Sequence, residues 1–106
     1  MKTATLTIHC AEEDWCNLGA TSKGITNQHS IEVEVHEGEE THVGLLRLNI
    51  LSINDNCIRL RICGDSEREL RKGENTIMRT ITVGGYTDHE GCDWDGTDYD
   101  YAISWK

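Results

Sequence analysis

The sequence predicts an all-β fold, a small antiparallel β-sandwich or open barrel of about six strands with at most one helical turn. Two observations predict it: apolar and polar residues alternate with a period of two in several segments, and helix-like sequence is confined to one short stretch. The chain has 106 residues, which is the usual size of one domain, so we expect a single β domain over residues 1–106. An alternative is a pair of β-ribbons that completes its core by dimerising.

Six segments carry the strand-like alternation. In the first, Ala4, Leu6 and Ile8 share one face, while threonines occupy the other. β-branched residues are frequent throughout these segments, as is typical of strands. The predicted strands cover residues 4–10, 31–35, 43–53, 58–62, 76–83 and 97–105.

The intervening residues predict turns and irregular segments. Residues 43–63 are expected to form a long hairpin, with a bulge near Leu51 where the apolar phase shifts by one, and a turn at residues 54–56. Residues 15–28 show no clear period and are interpreted as a loop. Residues 67–72 resemble a helix, but Gly73 follows at once, so a single turn is expected.

The five cysteines are expected to be reduced thiols, because their number is odd and the N-terminus does not resemble a signal peptide. Cys57 and Cys63 lie on one predicted strand, where six residues span about 20 Å, well beyond the limit of about 7 Å between bridged Cα atoms. A disulfide between Cys10 and Cys16 is the alternative. The thiol spacings do not match a zinc knuckle.

The formal net charge is −9, and the acids are concentrated in two segments. Residues 88–100 contain six acids and residues 29–42 contain five, and neither segment contains Lys or Arg. Such a field repels phosphate backbones and anionic lipids and attracts basic surfaces. We therefore expect a basic protein surface as partner, no direct nucleic-acid binding and no membrane association. The sequence has no apolar run of membrane-spanning length, and a cytoplasmic location is expected.

The densest acidic run, residues 92–100, has three interpretations. As a metal site it would bind Ca²⁺ through several carboxylates. The spacing does not fit an EF-hand, because Gly96 is at position four when Asp93 is position one, whereas the EF-hand glycine is at position six. As a hairpin it would turn at Asp95-Gly96 and carry solvated edge charges. As an interface it would dock on a basic protein. The candidate calcium ligands are Asp93, Asp95, Asp98 and Asp100, with Asp88 or Glu90 as a further donor.

Other candidate chemistry has weaker support in the sequence. His36 and His42 would face each other across a five-residue hairpin loop, which places them close enough to share Zn²⁺ but supplies only two ligands. His89 and Cys92 could form a base and nucleophile pair, yet the acids around them disfavour the thiolate. No catalytic motif is present, so we predict that the protein is not an enzyme.

The leading hypothesis is a non-catalytic acidic binding module that docks on a basic protein surface, as an inhibitor of a basic protein would. Tyr99, Tyr101 and Trp105 are expected in the core, whereas two tryptophans beside acids are expected to be exposed anchors. The rivals are a calcium-binding β-domain and a structural subunit of a larger assembly, including a homodimer. No motif assigns the chain to a family. The predicted contact residues are Trp15 with Glu12, Glu13 and Asp14, and Trp94 with Asp93, Asp95, Asp98 and Asp100.

Overall fold

The computed structural model describes residues 2–16, 21–84 and 96–106, and for residues 14–16 and 21–26 it describes the backbone. These residues form eight β-strands and no helix, which confirms the predicted all-β class. The strands are β1 (Thr3–Cys16), β2 (Thr21–His36), β3 (Glu40–Val43), β4 (Leu46–Ile53), β5 (Cys57–Ile62), β6 (Glu67–Arg71), β7 (Thr76–Gly84) and β8 (Gly96–Ser104).

The strands form two four-stranded antiparallel sheets in a sandwich-like arrangement. Sheet A has the order β2-β1-β8-β7 and sheet B the order β3-β4-β5-β6. The chain passes from sheet A to sheet B through residues 37–39 and returns through residues 72–75. Because β1 pairs with β8, the first and last strands are neighbours in the centre of sheet A.

The core lies between the inner faces of the two sheets and is mainly aliphatic. Leu6, Ile8 and Ile103 from sheet A are fully buried, as are Leu48 and Leu60 from sheet B. The predicted aromatic core residues are confirmed: Tyr101 and Trp105 are buried, and Tyr99 packs against the core while partly buried.

Sheet A is much longer than sheet B. β2 has 16 residues and would span about 50 Å, whereas β4, the longest strand of sheet B, has 8 residues. The long axis of the molecule measures 54 Å, and among the β1 residues whose side chains are described, 3–13, the last buried one is Cys10. Beyond the core, sheet A continues as a segment that we call the distal half, made of residues 11–16, 21–28, 80–84 and 96–100.

The prediction of a loop over residues 15–28 is wrong. β1 continues to Cys16 and β2 begins at Thr21, with Trp15 paired to Ser22. The register between β1 and β2 shifts at two places, between Cys10 and Glu12 and again between Glu13 and Trp15. At each shift β2 contains one extra residue while β1 stays in register with β8, so β2 carries no single period in the sequence.

The predicted helical turn at residues 67–72 is also wrong. These residues form β6, an edge strand in which Leu70 alone is buried. Pairing with β5 overrides the helix-like composition, because it sets Glu69 opposite Arg59 and Glu67 opposite Arg61. Opposite charges in directly paired positions favour the strand.

The hairpin prediction for residues 43–63 is confirmed by the antiparallel pair of β4 and β5. Their register shifts between Ile50 and Ser52, which places the expected bulge at Leu51. The expected turn follows, with the Asn54 amide donating to the Cys57 carbonyl at 2.8 Å.

Candidate functional site

The pairing of β1 with β8 brings together the two segments that the sequence predicts as contact regions. Glu13 lies opposite Asp98, Asp14 opposite Thr97 and Trp15 opposite Gly96. These residues are far apart in the chain, and the sequence offers no signal that they are neighbours. The structure therefore unites two predicted contact regions on adjacent strands of the distal half.

Three carboxylates share the outer face of this segment: Glu13, Asp98 and Asp100, which we call the acidic face. In paired antiparallel strands, directly opposite Cβ atoms are about 5 Å apart and diagonal ones about 7–8 Å apart. Asp98 is directly opposite Glu13, and Asp100 is opposite Ala11, diagonal to Glu13. Like charges at these distances repel one another.

The hydrogen-bond partners of the two aspartates are neutral hydroxyls on β7. Thr82 Oγ1 donates to Asp98 Oδ1 at 2.7 Å, and Thr80 Oγ1 donates to Asp100 Oδ1 at 2.6 Å. A hydroxyl satisfies one lone pair of a carboxylate but leaves its charge in place. β1 and β8 contain no Lys or Arg, so neither strand supplies a cation to Asp98 or Asp100.

Arg79, the arginine of β7, lies on the other face of sheet A. It is paired with Tyr101 in the sheet and forms an ion pair with Asp65. The hydrogen bond to Asp65 raises the pKa of Arg79 further, which keeps the guanidinium charged. Arg79 therefore balances Asp65 and not the acidic face.

The outer face of sheet B shows the opposite arrangement, because its charges alternate in sign. Arg47 lies 3.7 Å from Glu40, and Glu69 lies 3.9 Å from Arg59 and 3.4 Å from Arg71, measured between nitrogen and carboxylate oxygen. The two outer faces of the sandwich thus differ in electrostatic character.

Glu12, which the sequence groups with Glu13 and Asp14, points to the other side of sheet A. It is paired with Tyr99 and shares the side of β1 that carries Cys10. There it lines a pocket of about 460 Å³ between sheet A and the turn that joins β3 to β4. The parity of Ala4, Leu6, Ile8 and Cys10 could have placed Glu12 on that side, but the loop interpretation of the following residues hid it.

Polar groups at this pocket are joined through Asn27. The Asn27 side-chain amide donates to Glu12 Oε2 at 2.9 Å, and the His29 Nδ1 atom lies 2.9 Å from the Asn27 carbonyl oxygen. Asn27 lies in β2 within the first register shift and has a φ of 50°, in the left-handed region. Sequence reasoning missed this cluster, because it placed Asn27 in a loop.

The calcium prediction depends mostly on residues that lie outside the described parts of the chain. These are Asp88, Glu90, Asp93 and Asp95, and the same is true of Trp94 and of the proposed His89 and Cys92 pair. Within the described ranges, no group of three His, Cys, Asp or Glu side chains is arranged to hold a metal ion. The expected turn at Asp95-Gly96 is wrong, because Gly96 lies in β8 opposite Gly84.

The alternative in which His36 and His42 face each other across a hairpin loop is wrong as well. β2 and β3 belong to different sheets, so residues 37–39 connect the sheets instead of closing a hairpin. Each imidazole has a carboxylate neighbour on its own strand: His36 Nε2 lies 3.3 Å from Glu34, and His42 Nε2 lies 2.8 Å from Glu40. The two side chains therefore do not form a shared zinc site.

The described cysteines, Cys10, Cys57 and Cys63, are free thiols, as expected, so the alternative bridge from Cys10 to Cys16 is wrong. Burial raises the pKa of Cys10. Burial also raises the pKa of Cys57, with further contributions from its hydrogen bond to Glu69 and from that carboxylate's charge. Both effects favour the protonated thiol over the nucleophilic thiolate.

Comparison with known proteins gives no family for this chain, since no protein-family model, curated protein or solved structure matches it. Among the residues that the structure describes, no helix is long and apolar enough to cross a membrane.

Proposed function

We propose that the protein is a non-catalytic binding module that docks on a basic protein surface through the acidic face. The observation that carries the proposal is the pairing of Glu13 with Asp98, with Asp100 diagonal to them and threonine hydroxyls as partners of the two aspartates. Clustered like charges cost folding stability, so their retention is consistent with a role in binding.

The arrangement of the acidic face suits a partner rich in Lys or Arg. Carboxylates on neighbouring strands can accept from guanidinium groups in a bidentate manner. The concentrated negative potential also steers a basic partner and speeds its association. We propose Asp14, Trp15, Asp93, Trp94 and Asp95 as further contacts, from their sequence positions beside the acidic face.

The proposal is tested by removing the charges while keeping the shape of the side chains. In the triple variant Glu13→Gln, Asp98→Asn, Asp100→Asn, amide oxygens can still accept the threonine hydrogen bonds, so the fold is retained. A matched control, Glu39→Gln, Asp55→Asn, Glu74→Gln, removes the same number of charges from exposed turn positions. Both variants have the same formal charge, so a difference in their binding reports where the charges were removed and not the net charge of the protein.

Immobilised wild type and both variants are used to capture proteins from a native extract at low and high salt, and each captured protein is then purified for direct titration. We expect a basic protein that binds wild type and the control at low salt, binds the triple variant at least about tenfold more weakly, and loses affinity as salt rises. Equal binding to all three proteins, or a captured partner without a basic surface, would contradict the proposal.

The rival hypothesis, a calcium site at Asp93, Asp95, Asp98 and Asp100, is separated by a thermal melt with Ca²⁺ and with chelator. An ion that binds the folded state in preference to the unfolded state raises Tm by mass action. We expect equal Tm values, because Asp98 and Asp100 lie on a strand face and are engaged by threonines. A clear rise in Tm with Ca²⁺, abolished by chelator, would favour the rival.

A further inference from the structure

The pocket at Glu12 is a second feature of the distal half, separate from the acidic face and on the opposite side of sheet A. Its volume of about 460 Å³ lies within the range of small-molecule sites, about 300–1,000 Å³. Its apolar lining comes from both sheets and from the turn between β3 and β4. The apolar and aromatic lining residues include Ile31, Val43, Leu45, Val83, Tyr99 and Tyr101.

Two of these residues leave apolar surface uncovered at the pocket. Leu45 and Val83 are each 48% exposed, whereas most aliphatic side chains of the sandwich are buried. Leu45 is held in place by its backbone amide, which donates to the Tyr101 hydroxyl at 3.1 Å. A ligand that covers Leu45 and Val83 would remove this surface from water, which favours binding.

The polar side of the pocket is built around a backbone outlier. Asn27 adopts left-handed geometry within the β2 register shift, its side-chain amide donates to Glu12, and its carbonyl oxygen is in contact with His29. Non-glycine residues in this region are uncommon and concentrate at functional sites, and bulges commonly re-aim side chains there. The cluster thus fixes a carboxylate and an imidazole at one apolar pocket.

Hydrogen-bond chemistry specifies what this polar side can recognise. A carbonyl oxygen only accepts, so the hydrogen between His29 and Asn27 is on Nδ1, and in the neutral form of the ring Nε2 is an acceptor. Glu12 contributes an anionic acceptor, and the described lining residues include no Lys or Arg. Two acceptors and one negative charge favour a cationic hydrogen-bond donor.

We propose that this pocket binds a small organic amine, with an apolar ring or branched body between Leu45, Val83 and Tyr99 and a protonated nitrogen at Glu12 and His29. The site is independent of the acidic face. A volume of about 460 Å³ suits a ligand of one or two rings.

The test uses three probes of matched shape: 2-phenylethylamine, 2-phenylethanol and 3-phenylpropanoate. Amide chemical shifts of the ¹⁵N-labelled protein are followed during titration. We expect the amine to shift the signals of Asn27, Gly44 and Leu45 and to bind at least about tenfold more tightly than the alcohol, with the weakest binding for the carboxylate. Equal affinity for the three probes, or shifts confined to residues outside the pocket, would overturn the proposal.

Variants separate the contribution of the polar side of the pocket from that of its apolar lining. Glu12→Gln should lower amine affinity to the level of the alcohol and leave alcohol affinity unchanged. Val83→Trp should block all probes, whereas Met78→Trp, at a 72% exposed position of β7 outside the pocket, should not. Full amine binding by both Glu12→Gln and Val83→Trp would overturn the proposal.

The triple variant of the acidic face distinguishes the two proposals. Because Glu13, Asp98 and Asp100 lie on the outer face of sheet A, it should retain amine binding while losing the basic protein partner. Amine binding that disappears with the acidic face and survives Glu12→Gln would place the amine site on the wrong side of the sheet.

Discussion

Gly44 occupies a position where both the backbone and a neighbouring side chain exclude a Cβ atom. Its φ is +58°, and a Cβ built on it would lie 2.8 Å from the Tyr101 hydroxyl oxygen. The same hydroxyl accepts from the Leu45 amide, so the close approach of the turn to β8 depends on this glycine. The pocket wall thus depends on one residue without a side chain.

Replacing Gly44 with Ala should therefore destabilise the protein by more than replacing Gly38, which has a φ of +83° but open space around it. The left-handed conformation alone costs about 1–2 kcal/mol for a residue with a Cβ atom, and at Gly44 the contact with Tyr101 adds to that cost. Urea denaturation of Gly44→Ala and Gly38→Ala measures the difference. In a Tyr101→Phe background the cost of Gly44→Ala should fall toward that of Gly38→Ala, and an unchanged cost would show that the hydroxyl contact is not responsible.

Cys57 and Glu69 form a coupled pair on the outer face of sheet B. The hydrogen bond from the thiol lowers the pKa of Glu69, with additional effects from Arg71 and Arg59, and the pKa of Cys57 is raised. Below its raised pKa the Cys57 thiol stays protonated, so the contact persists at neutral pH and is lost as pH rises through that pKa. For Glu69 the sign is opposite, because its contribution is lost as pH falls through its lowered pKa.

This coupling predicts slow alkylation of Cys57. At mildly alkaline pH its thiolate fraction is below that of an unstructured thiol, and Glu69→Gln should raise the alkylation rate, by less than about tenfold because the carboxylate is exposed. The rate is followed with iodoacetamide and mass spectrometry, with Cys63 as the internal control. A rate at Cys57 that falls or does not change on substitution would argue against the contact.

At the scale of elements, the bulge in β4 decides which of two adjacent apolar residues enters the core. Ile50 is 2% exposed and Leu51 is 41% exposed. The bulge lets the strand carry both without moving Ile53 out of the core. A regular strand would have turned one set of these residues toward solvent.

We therefore expect very different costs for truncating these neighbours. Ile50→Ala should destabilise the protein by about 2–5 kcal/mol, because it opens a cavity in the core. Leu51→Ala should change the free energy of unfolding by about 0.5 kcal/mol or less, as an exposed site does. Denaturation midpoints of the two variants test this, and similar losses would mean that the bulge lies elsewhere.

The sequence predicted the strands in which apolar and polar residues alternate because one face packs in the core. Alternation in β1, β4, β5 and β8 is clear because one face of each strand is buried, and the Leu51 phase shift revealed its own bulge. β6 was missed because it buries one residue. The alternating signs of its charges, which place glutamates opposite Arg59 and Arg61 on β5, could have indicated the strand. The pairing of residues 12–16 with residues 21–26 was missed because register shifts interrupt the alternation of β2 there.

The candidate site, like the strands, was predicted only where the local sequence carries the information. The acidic character of residues 12–14 and 93–100 is visible in the sequence, but their proximity is a product of the β1 and β8 pairing, which joins the two ends of the fold. The pocket required knowledge that Glu12 and Glu13 lie on opposite sides of one strand. Such information is carried by long-range pairing and not by local composition.

At the scale of the whole molecule, the two sheets differ in length and in the charge of their outer faces. Sheet B has an outer face of interleaved Arg and Glu. Sheet A extends beyond it and carries the acidic face on one side and an apolar pocket on the other. The net charge of −9 is thus distributed unevenly, and under the proposed function this distribution would steer a basic partner toward the acidic face.

The most direct test of this account is the free energy of unfolding of the wild type and of Glu13→Gln, Asp98→Asn, Asp100→Asn, measured in urea at low and high salt. If the three carboxylates repel one another, the variant is more stable at low salt, by about 0.2–1 kcal/mol for each close pair, and salt reduces the difference. A variant that is equally or less stable at low salt would show that these charges are balanced within the chain, and the proposed docking surface would lose its basis.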